Sequence, residues 1–304
     1  MPLSRCLADT QSGFSVTPFY SSIAMYAGDQ EKDIAITFTN KSNFEASFSL
    51  TAMDFGQADE SGGISFFNLP SDYIRRYGLA SWIVLDRDVI AMGPGETETV
   101  NVTIDNRDNL SSGGHYAAIV AKMQENISPD GSGPNIALEP SFASLIFLKK
   151  EGGERNGLVL NDYEIRKKGS GEAESVRLRF QNTGNTHIIP RGTIRFLDPL
   201  GRVISQGVIN RESAYCMPET FRNFAVNLEN EQSAFLPGKY TIVIKYRFEG
   251  KDDFEYRQSS IFYFPKNAII LLVAVGVLLV MFAWIVLKLK KKRKTKTQLS
   301  ITKH

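Results

Sequence analysis

The 304-residue sequence predicts an all-β chain closed by one apolar helix and a short basic tail, and three features carry that prediction. From Phe14 to Phe264, short runs alternate apolar and polar residues between Gly, Pro, Asn and Asp clusters spaced by about ten residues, as half-buried strands and tight turns require. No amphipathic run of helical length competes with that pattern. Near the end, Ala268 to Leu287 reads AIILLVAVGVLLVMFAWIVL, twenty residues without a charge. At about 1.5 Å per residue such a helix spans roughly 30 Å, the thickness of a bilayer core.

Charge supports this division. The chain has 35 Lys and Arg against 33 Asp and Glu, a net +2. Eight of the basic residues follow Leu287 with no acid among them, which leaves 27 against 33 before it, a balance of −6. Basic residues directly after an apolar span stay on the cytoplasmic side. The sequence therefore predicts a single-pass protein of the cell membrane, with 268–287 as the transmembrane helix, 288–304 as the cytoplasmic tail and everything before outside. The tail reads as a stop-transfer signal. Trp284 suits the inner membrane interface. Tyr263 and Phe264 suit the outer one, although aromatics ending a last strand serve equally as core.

An outward amino terminus needs an export signal, yet MPLSRCLADTQSGFS lacks an apolar run. Cys6-Leu7-Ala8 before Asp9 resembles the small-x-small end of a cleaved leader. Residues 1–8 are therefore expected to be the remnant of a signal peptide, with the mature chain beginning near Asp9. That leaves Cys216 alone, so no intramolecular disulfide is expected.

Within the outer part, Ile34, Ile36 and Phe38 alternate with Ala35, Thr37 and Thr39, and Val100, Val102 and Ile104 alternate with Asn101, Thr103 and Asp105. His115–Met123 is apolar enough for a central strand, and Ser144–Leu148 closes the set. The charged, Gly-rich stretch Lys149–Gly157 reads as a boundary. Residues 9–149 are then one β-sandwich, 150–157 a linker and 158–265 a second. Seven strands are expected in the second: Leu158–Arg166, Val176–Asn182, Thr193–Leu197, Val203–Ile209, Phe221–Leu228, Tyr240–Phe248 and Glu255–Phe264. That count over about 107 residues is the spacing of an immunoglobulin-like sandwich. Turn chemistry agrees at Asp198-Pro199-Leu200-Gly201 and Pro237-Gly238. The expected fold is thus two tandem immunoglobulin-like sandwiches and one carboxy-terminal transmembrane helix.

Two long excursions interrupt the first sandwich, Phe55–Ser81 and Glu125–Ser141, each longer than compact connections usually are. The second is rich in Gly, Pro and Ser. The first gathers aromatics with Arg, Asp and Glu, and Ser71–Tyr77 reads as a short helix capped by Ser71. Aromatics and arginines on a loop can stack on sugar rings and bond hydroxyls or carboxylates. Phe66, Phe67, Tyr73, Arg75, Arg76 and Tyr77 are therefore the candidate ligand-binding residues. Against this stands a structural reading, in which Phe66, Phe67 and Trp82 cap an open end of the core. A partner strand pairing with a free sandwich edge is a second route to binding.

The order FSVTP (14–18), EKDIAITFTNKS (31–42), MGPGETETVNVTI (92–104), SGGHYAAI (112–119), FQNTGNTHIIPRGTIRFLDPLGRVI (180–204) and LPGKYTIVIKY (236–246), then span and basic tail, resembles the WxL-interacting cell-surface proteins of Gram-positive and related bacteria. The resemblance implies two stacked immunoglobulin-like domains on an anchor, the outer linked to peptidoglycan and the inner to a partner such as a WxL-type secreted protein. It carries no residue-level binding motif. Most of its motifs have a structural explanation, since Pro94-Gly95 and Asn182-Thr183-Gly184-Asn185 are turn material and Gly113-Gly114 permits positive φ.

No motif for chemistry accompanies these. His115 and His187 fall in different predicted domains without a partnered nucleophile. There is no C-x-x-C, H-E-x-x-H, calcium loop, G-x-G-x-x-G or P-loop, so no metal and no cofactor are expected. Net negative charge outside the membrane disfavours nucleic acid. The sequence points to a non-enzymatic binding or scaffold protein holding cell-wall peptidoglycan or a surface protein. The alternative is a chaperone-like or accessory subunit of a surface assembly or secretion system, acting by strand pairing.

Overall fold

A computed structural model describes residues 13–66, 69–107, 111–124, 141–167 and 173–301. The expected signal-peptide remnant (1–8), Phe67 and all of the 125–141 loop but its last residue lie outside the described residues. The first half of the chain carries β1 (Phe14–Thr17), β2 (Tyr20–Met25), β3 (Glu31–Asn40), β4 (Ala46–Asp54), β5 (Gly56–Gln57), β6 (Ile64–Ser65), α1 (Ser71–Tyr77), β7 (Ile83–Leu85), β8 (Val89–Met92), β9 (Thr97–Asp105), β10 (Gly113–Met123) and β11 (Ser141–Lys150). One sheet has the order β1-β3-β9-β7 and a second the order β2-β11-β10-β4-β8. Between them Ile36, Phe38, Val100, Val102 and Ile104 form a buried core with Phe48, Trp82, Ile119 and Ile146. The alternation read in β3 and β9 thus has its cause. The apolar residue of each pair faces the opposite sheet and the polar one faces water. β10 is buried on both faces and central in its sheet, as its continuous apolar run requires.

The second half carries β12 (Leu158–Lys167), β13 (Ala173–Asn182), β14 (Arg191–Leu197), β15 (Val203–Ile209), β16 (Phe221–Asn227), β17 (Glu229–Asn230), β18 (Gly238–Arg247) and β19 (Glu255–Tyr263). They form the sheets β12-β13-β16 and β17-β15-β14-β18-β19 around a second core that includes Phe180, Phe196, Phe224, Tyr240 and Tyr246. Each of the seven strands expected here is present, and Val203–Ile209 matches residue for residue. Gly201, at positive φ of 79°, closes the Asp198 turn through a 2.9 Å bond from its N–H to the Asp198 carbonyl.

Three details differ from the sequence reading. Ser71 does not cap α1: Pro70 occupies the cap position, and its carbonyl accepts the N–H groups of Tyr73 and Ile74 at 2.9 and 3.1 Å. The first excursion is built of regular structure, with the β5–β6 hairpin, α1 and a 3₁₀ turn at Ala80–Trp82. The carboxy-terminal helix, α2 (Lys266–Ile301), runs beyond the expected span into the tail. Its basic residues are good helix formers, and neither Gly nor Pro follows Gly276 to stop it. Its segment Lys266–Lys290 is long and apolar enough to cross a membrane.

Candidate functional site

The two sheet pairs meet along a joint tied by hydrogen bonds and ion pairs. At one side the NTGN turn grips the start of β10. The Gly114 N–H donates to the Asn185 carbonyl at 2.8 Å, and Asn185 Nδ2 donates to the carbonyls of Ser112 (3.2 Å) and Gly153 (3.0 Å). Gly113 sits here at φ of 122°, with the Asn185 carbonyl 2.7 Å from where a Cβ would stand. At the other side Glu60 reaches across to Arg179, with Nε–Oε2 at 2.7 Å, and accepts from Asn223 Nδ2 at 3.0 Å. Arg76 pairs with Glu219 at 2.8 Å. Between these seams lies an aromatic cluster of Phe55, Tyr77, Tyr116 and Phe147 with Met217. His187 joins it, its Nδ1 sharing a 3.2 Å hydrogen bond with the Tyr116 hydroxyl. Burial pulls the His187 imidazole down to about 3, with Lys149 adding to the effect, so the ring is neutral.

Beside this cluster a cleft opens to solvent, with a cavity of about 230 Å³. Its first wall is the start of β2 and the facing part of β11, with Phe19, Tyr20, Leu145 and Phe147. Its second is the loop after β15, with Ala214, Tyr215 and Met217. Asn210 shapes that loop: Nδ2 donates to the carbonyls of Pro190 (3.0 Å) and Ala214 (2.8 Å), and Oδ1 accepts the Ala214 N–H at 2.7 Å. The Phe147 and Tyr215 rings lie 4.6 Å apart, and Tyr20 stands edge-on to both at 6.4 and 6.3 Å. Phe19 and Tyr20 remain 66% and 53% exposed at the mouth, an unusual state for adjacent aromatics unless something covers them.

Two charged residues, Glu212 and Arg222, line this cleft, and the arginine is the one drawn into its apolar wall. The Arg222 guanidinium donates through Nη1 to the Tyr215 carbonyl, while its Nε is buried without a partner among the described residues. Burial holds its pKa below the usual arginine range. Gly62, at φ of 92°, lets it approach, because a Cβ there would stand 2.2 Å from Arg222 Cζ.

The mouth of the cleft continues into a strand edge. Among the described residues β2 ends its sheet and pairs, in parallel, with β11 alone. The Leu145 N–H donates to the Phe19 carbonyl and the Glu151 N–H to that of Met25. Alternation along the strand then turns the backbone groups of Tyr20, Ser22 and Ala24 away from β11.

The six residues singled out from the sequence divide between these settings. Phe66 and Tyr73 pack against the aromatic cluster and Tyr77 belongs to it. The Tyr73 and Tyr77 rings are 5.0 Å apart, one helical turn from each other on the inner face of α1. Burial pushes the Tyr73 phenol above its usual range and that of Tyr77 up to about 12. Arg75 and Arg76 are exposed, the first paired with Asp72 at 2.8 Å and the second with Glu219. Phe67 lies outside the described residues. The i, i+4 spacing of Tyr73 and Tyr77 was the available signal that this loop has an inward face. Phe147 falls on a strand that the sequence does announce, but nothing local marks Tyr215 or Arg222.

Among the described residues no three His, Cys, Asp or Glu side chains are placed to hold a metal. Burial also lowers the His115 pKa, and its Nε2 is engaged with the Ser111 carbonyl at 2.7 Å. Cys216 is free and buried, and burial pushes its thiol up to about 11, far from the thiolate a nucleophile needs.

No family model and no curated protein matches the sequence. Among solved structures, a chaperone–tip adhesin complex of CFA/I fimbriae biogenesis is similar at 12% identity and TM-score 0.41, over 83% of this chain and 99% of that one. The class 5 fimbriae chaperone CfaA is similar at 12% identity and TM-score 0.39, over 83% and 100%. The CsuC–CsuE chaperone–tip adhesion subunit complex of Acinetobacter baumannii gives 11% and 0.38, over 81% and 97%. Likeness at that level bears neither on the partner nor on the activity of this chain.

Proposed function

We propose that this is a non-enzymatic, membrane-anchored accessory protein that holds an extended segment of a surface protein, pairing it with the free edge of β2 and burying one of its side chains in the adjoining cleft. The observation that carries the proposal is the continuity of that edge with an apolar cavity whose mouth exposes Phe19 and Tyr20. An added strand satisfies outward backbone groups, and a pocket beside it selects a side chain. In this reading the two sheet pairs are tandem immunoglobulin-like units outside the membrane, α2 is the anchor, and the basic tail is cytoplasmic. The resemblance to WxL-interacting proteins fits a surface protein as the occupant. Peptidoglycan has less in its favour, because Phe66, Tyr73 and Tyr77 turn inward and Arg76 is spent on the joint.

The test is site-specific photo-crosslinking in cells from position 22, on the outward side of β2, and from position 35, exposed on the inner strand β3. A single protein captured from 22 and not from 35, and lost with Tyr20→Glu, is the expected result. The proposal fails if position 22 captures nothing while isolated cell-wall sacculi retain wild type and Tyr20→Glu alike.

A further inference from the structure

The end of the second sheet pair that meets α2 is unlike a solvated surface. Leu200, at the tip of the β14–β15 turn, is 70% exposed, Phe262 76%, Phe235 49% and Phe264 45%. They lie at one end of the fold. Pro199 packs on Gly238, where a Cβ would stand 2.9 Å from its Cγ, and Gly238 pairs with Tyr263. Phe262 lies opposite Lys239 in the same ladder. Phe235 follows Ala234, whose carbonyl accepts from Asn267 Nδ2 at 3.5 Å in the first turn of α2. Scattered exposed apolar residues are ordinary, but four around the root of one apolar helix form a ring.

The helix does not hang on a tether. Only Phe264 and Pro265 separate β19 from α2, Pro265 and Ala268 are buried, and the Ala268 N–H closes on the Pro265 carbonyl at 3.0 Å. The uncharged run begins at Ala268, about two residues or roughly 3 Å along the axis from Lys266. At about 3.3 Å per extended residue and about 1.5 Å per helical one, Phe264 is within roughly 10 Å of that point along the chain and Phe262 within roughly 16 Å. The headgroup layer on each side of a bilayer is about 5–8 Å deep. Tyr263, by contrast, is 5% exposed and stacks edge-on to Tyr240, so it belongs to the core and not to the belt.

We infer that this end of the second sheet pair rests in the lipid interface, with Leu200, Phe235, Phe262 and Phe264 at the acyl boundary and the exposed Lys239 and Lys266 among the phosphates. The inference rests on α2 being a membrane anchor. Aromatics and lysines at the headgroup level are the side chains that an interface favours. The consequence is orientational: the sheets stand at a fixed tilt on the membrane, and the cleft is presented at a fixed height above it.

The test uses the full chain with Cys6→Ser, reconstituted in vesicles of phosphatidylcholine and phosphatidylglycerol, and labelled with a fluorophore at one new cysteine at a time. Cys216, being buried, does not compete for label. The positions are Leu200→Cys and Phe262→Cys in the ring, Val208→Cys towards the far end of β15, and Val277→Cys within α2. Nitroxide-bearing lipids are expected to quench labels at 200, 262 and 277 but not at 208, with an aqueous quencher giving the reverse order. Quenching at 277 with labels at 200 and 262 behaving like 208 overturns the inference and leaves the anchor standing. Labels at 277 that face water as well, in protein that separates from the vesicles, overturn the anchor and the inference together.

Discussion

Asn40 and Asn182 make the same three hydrogen bonds at the same place in the two halves of the chain. Asn40 ends β3, donates to the carbonyls of Phe44 (2.8 Å) and Met92 (2.9 Å) and accepts the Ser42 N–H at 2.9 Å. Asn182 ends β13, donates to those of Thr186 (2.7 Å) and Cys216 (2.9 Å) and accepts the Gly184 N–H at 2.9 Å. Both side chains are fully buried. Each ties the end of its strand to its own turn and to a segment far along the chain. Replacing either by Ala removes three hydrogen bonds, although the Phe44 carbonyl keeps the Ser42 hydroxyl at 3.1 Å and the Cys216 carbonyl keeps the Ile188 N–H at 3.0 Å, and the expected loss is about 2–4 kcal/mol. Denaturant unfolding of the chain in detergent is expected to show that loss for Asn40→Ala and for Asn182→Ala. A loss under about 1 kcal/mol for either would show that water replaces the side chain.

Buried His187 makes stability depend on pH. Its pKa is depressed in the folded chain, to about 3 from 6.5, so the unfolded chain binds the proton more tightly. Stability is therefore full above pH 6.5 and falls as pH drops towards 3, by roughly 2 kcal/mol at pH 5. His115, shifted in the same direction, adds to the slope. Unfolding midpoints between pH 7.5 and 4.5 are expected to fall for the wild type. With His187→Gln the slope flattens and does not vanish. An unchanged slope in that variant would assign the effect elsewhere.

Glu60 and Arg179 give a test of the joint. Their carboxylate and guanidinium meet in two parallel bonds across sheet pairs, and the neighbouring Asn223 N–H donates to the Glu60 carbonyl at 2.7 Å. Glu60→Arg sets two guanidiniums against each other. Hydrogen exchange of the Asn223 amide is expected to accelerate, and Arg179→Glu in the same chain is expected to restore protection. Failure of the double variant to recover would mean that Glu60 acts mainly through Asn223.

How much of this was legible follows from where the information lies. Strands such as Val203–Ile209 were readable because their apolar side chains recur every second residue, a signal contained within the strand itself. The paired asparagines left a trace too, in Phe38-Thr39-Asn40-Lys41-Ser42-Asn43 and Phe180-Gln181-Asn182-Thr183-Gly184-Asn185, which share Phe, Asn and Asn at equal spacing. The joint left none. Tyr116 and His187 meet across 71 residues, and neither has a neighbour that announces the contact. Aromatics among arginines in the 55–81 excursion have the same composition whether they face a ligand or a core. Only the helical face shared by Tyr73 and Tyr77 separates the two cases.

Gly62 and Gly95 separate backbone strain from the cleft. Both have positive φ, 92° and 78°, but a Cβ at Gly95 meets nothing within 4 Å, while one at Gly62 meets Arg222. Ala at either site costs about 1 kcal/mol through φ alone. At Gly62 the added methyl must also displace the guanidinium, which is the movable end of its side chain. Gly62→Ala is therefore expected to be only slightly less stable than Gly95→Ala, yet to release Arg222 from the Tyr215 carbonyl and from its buried position. Phenylglyoxal labelling followed by peptide mass spectrometry reads this directly. Arg222 is expected to react slowly in the wild type and in Gly95→Ala, and quickly in Gly62→Ala. Equal reactivity in all three would mean that Gly62 is there for the turn and does not hold the arginine against the cleft.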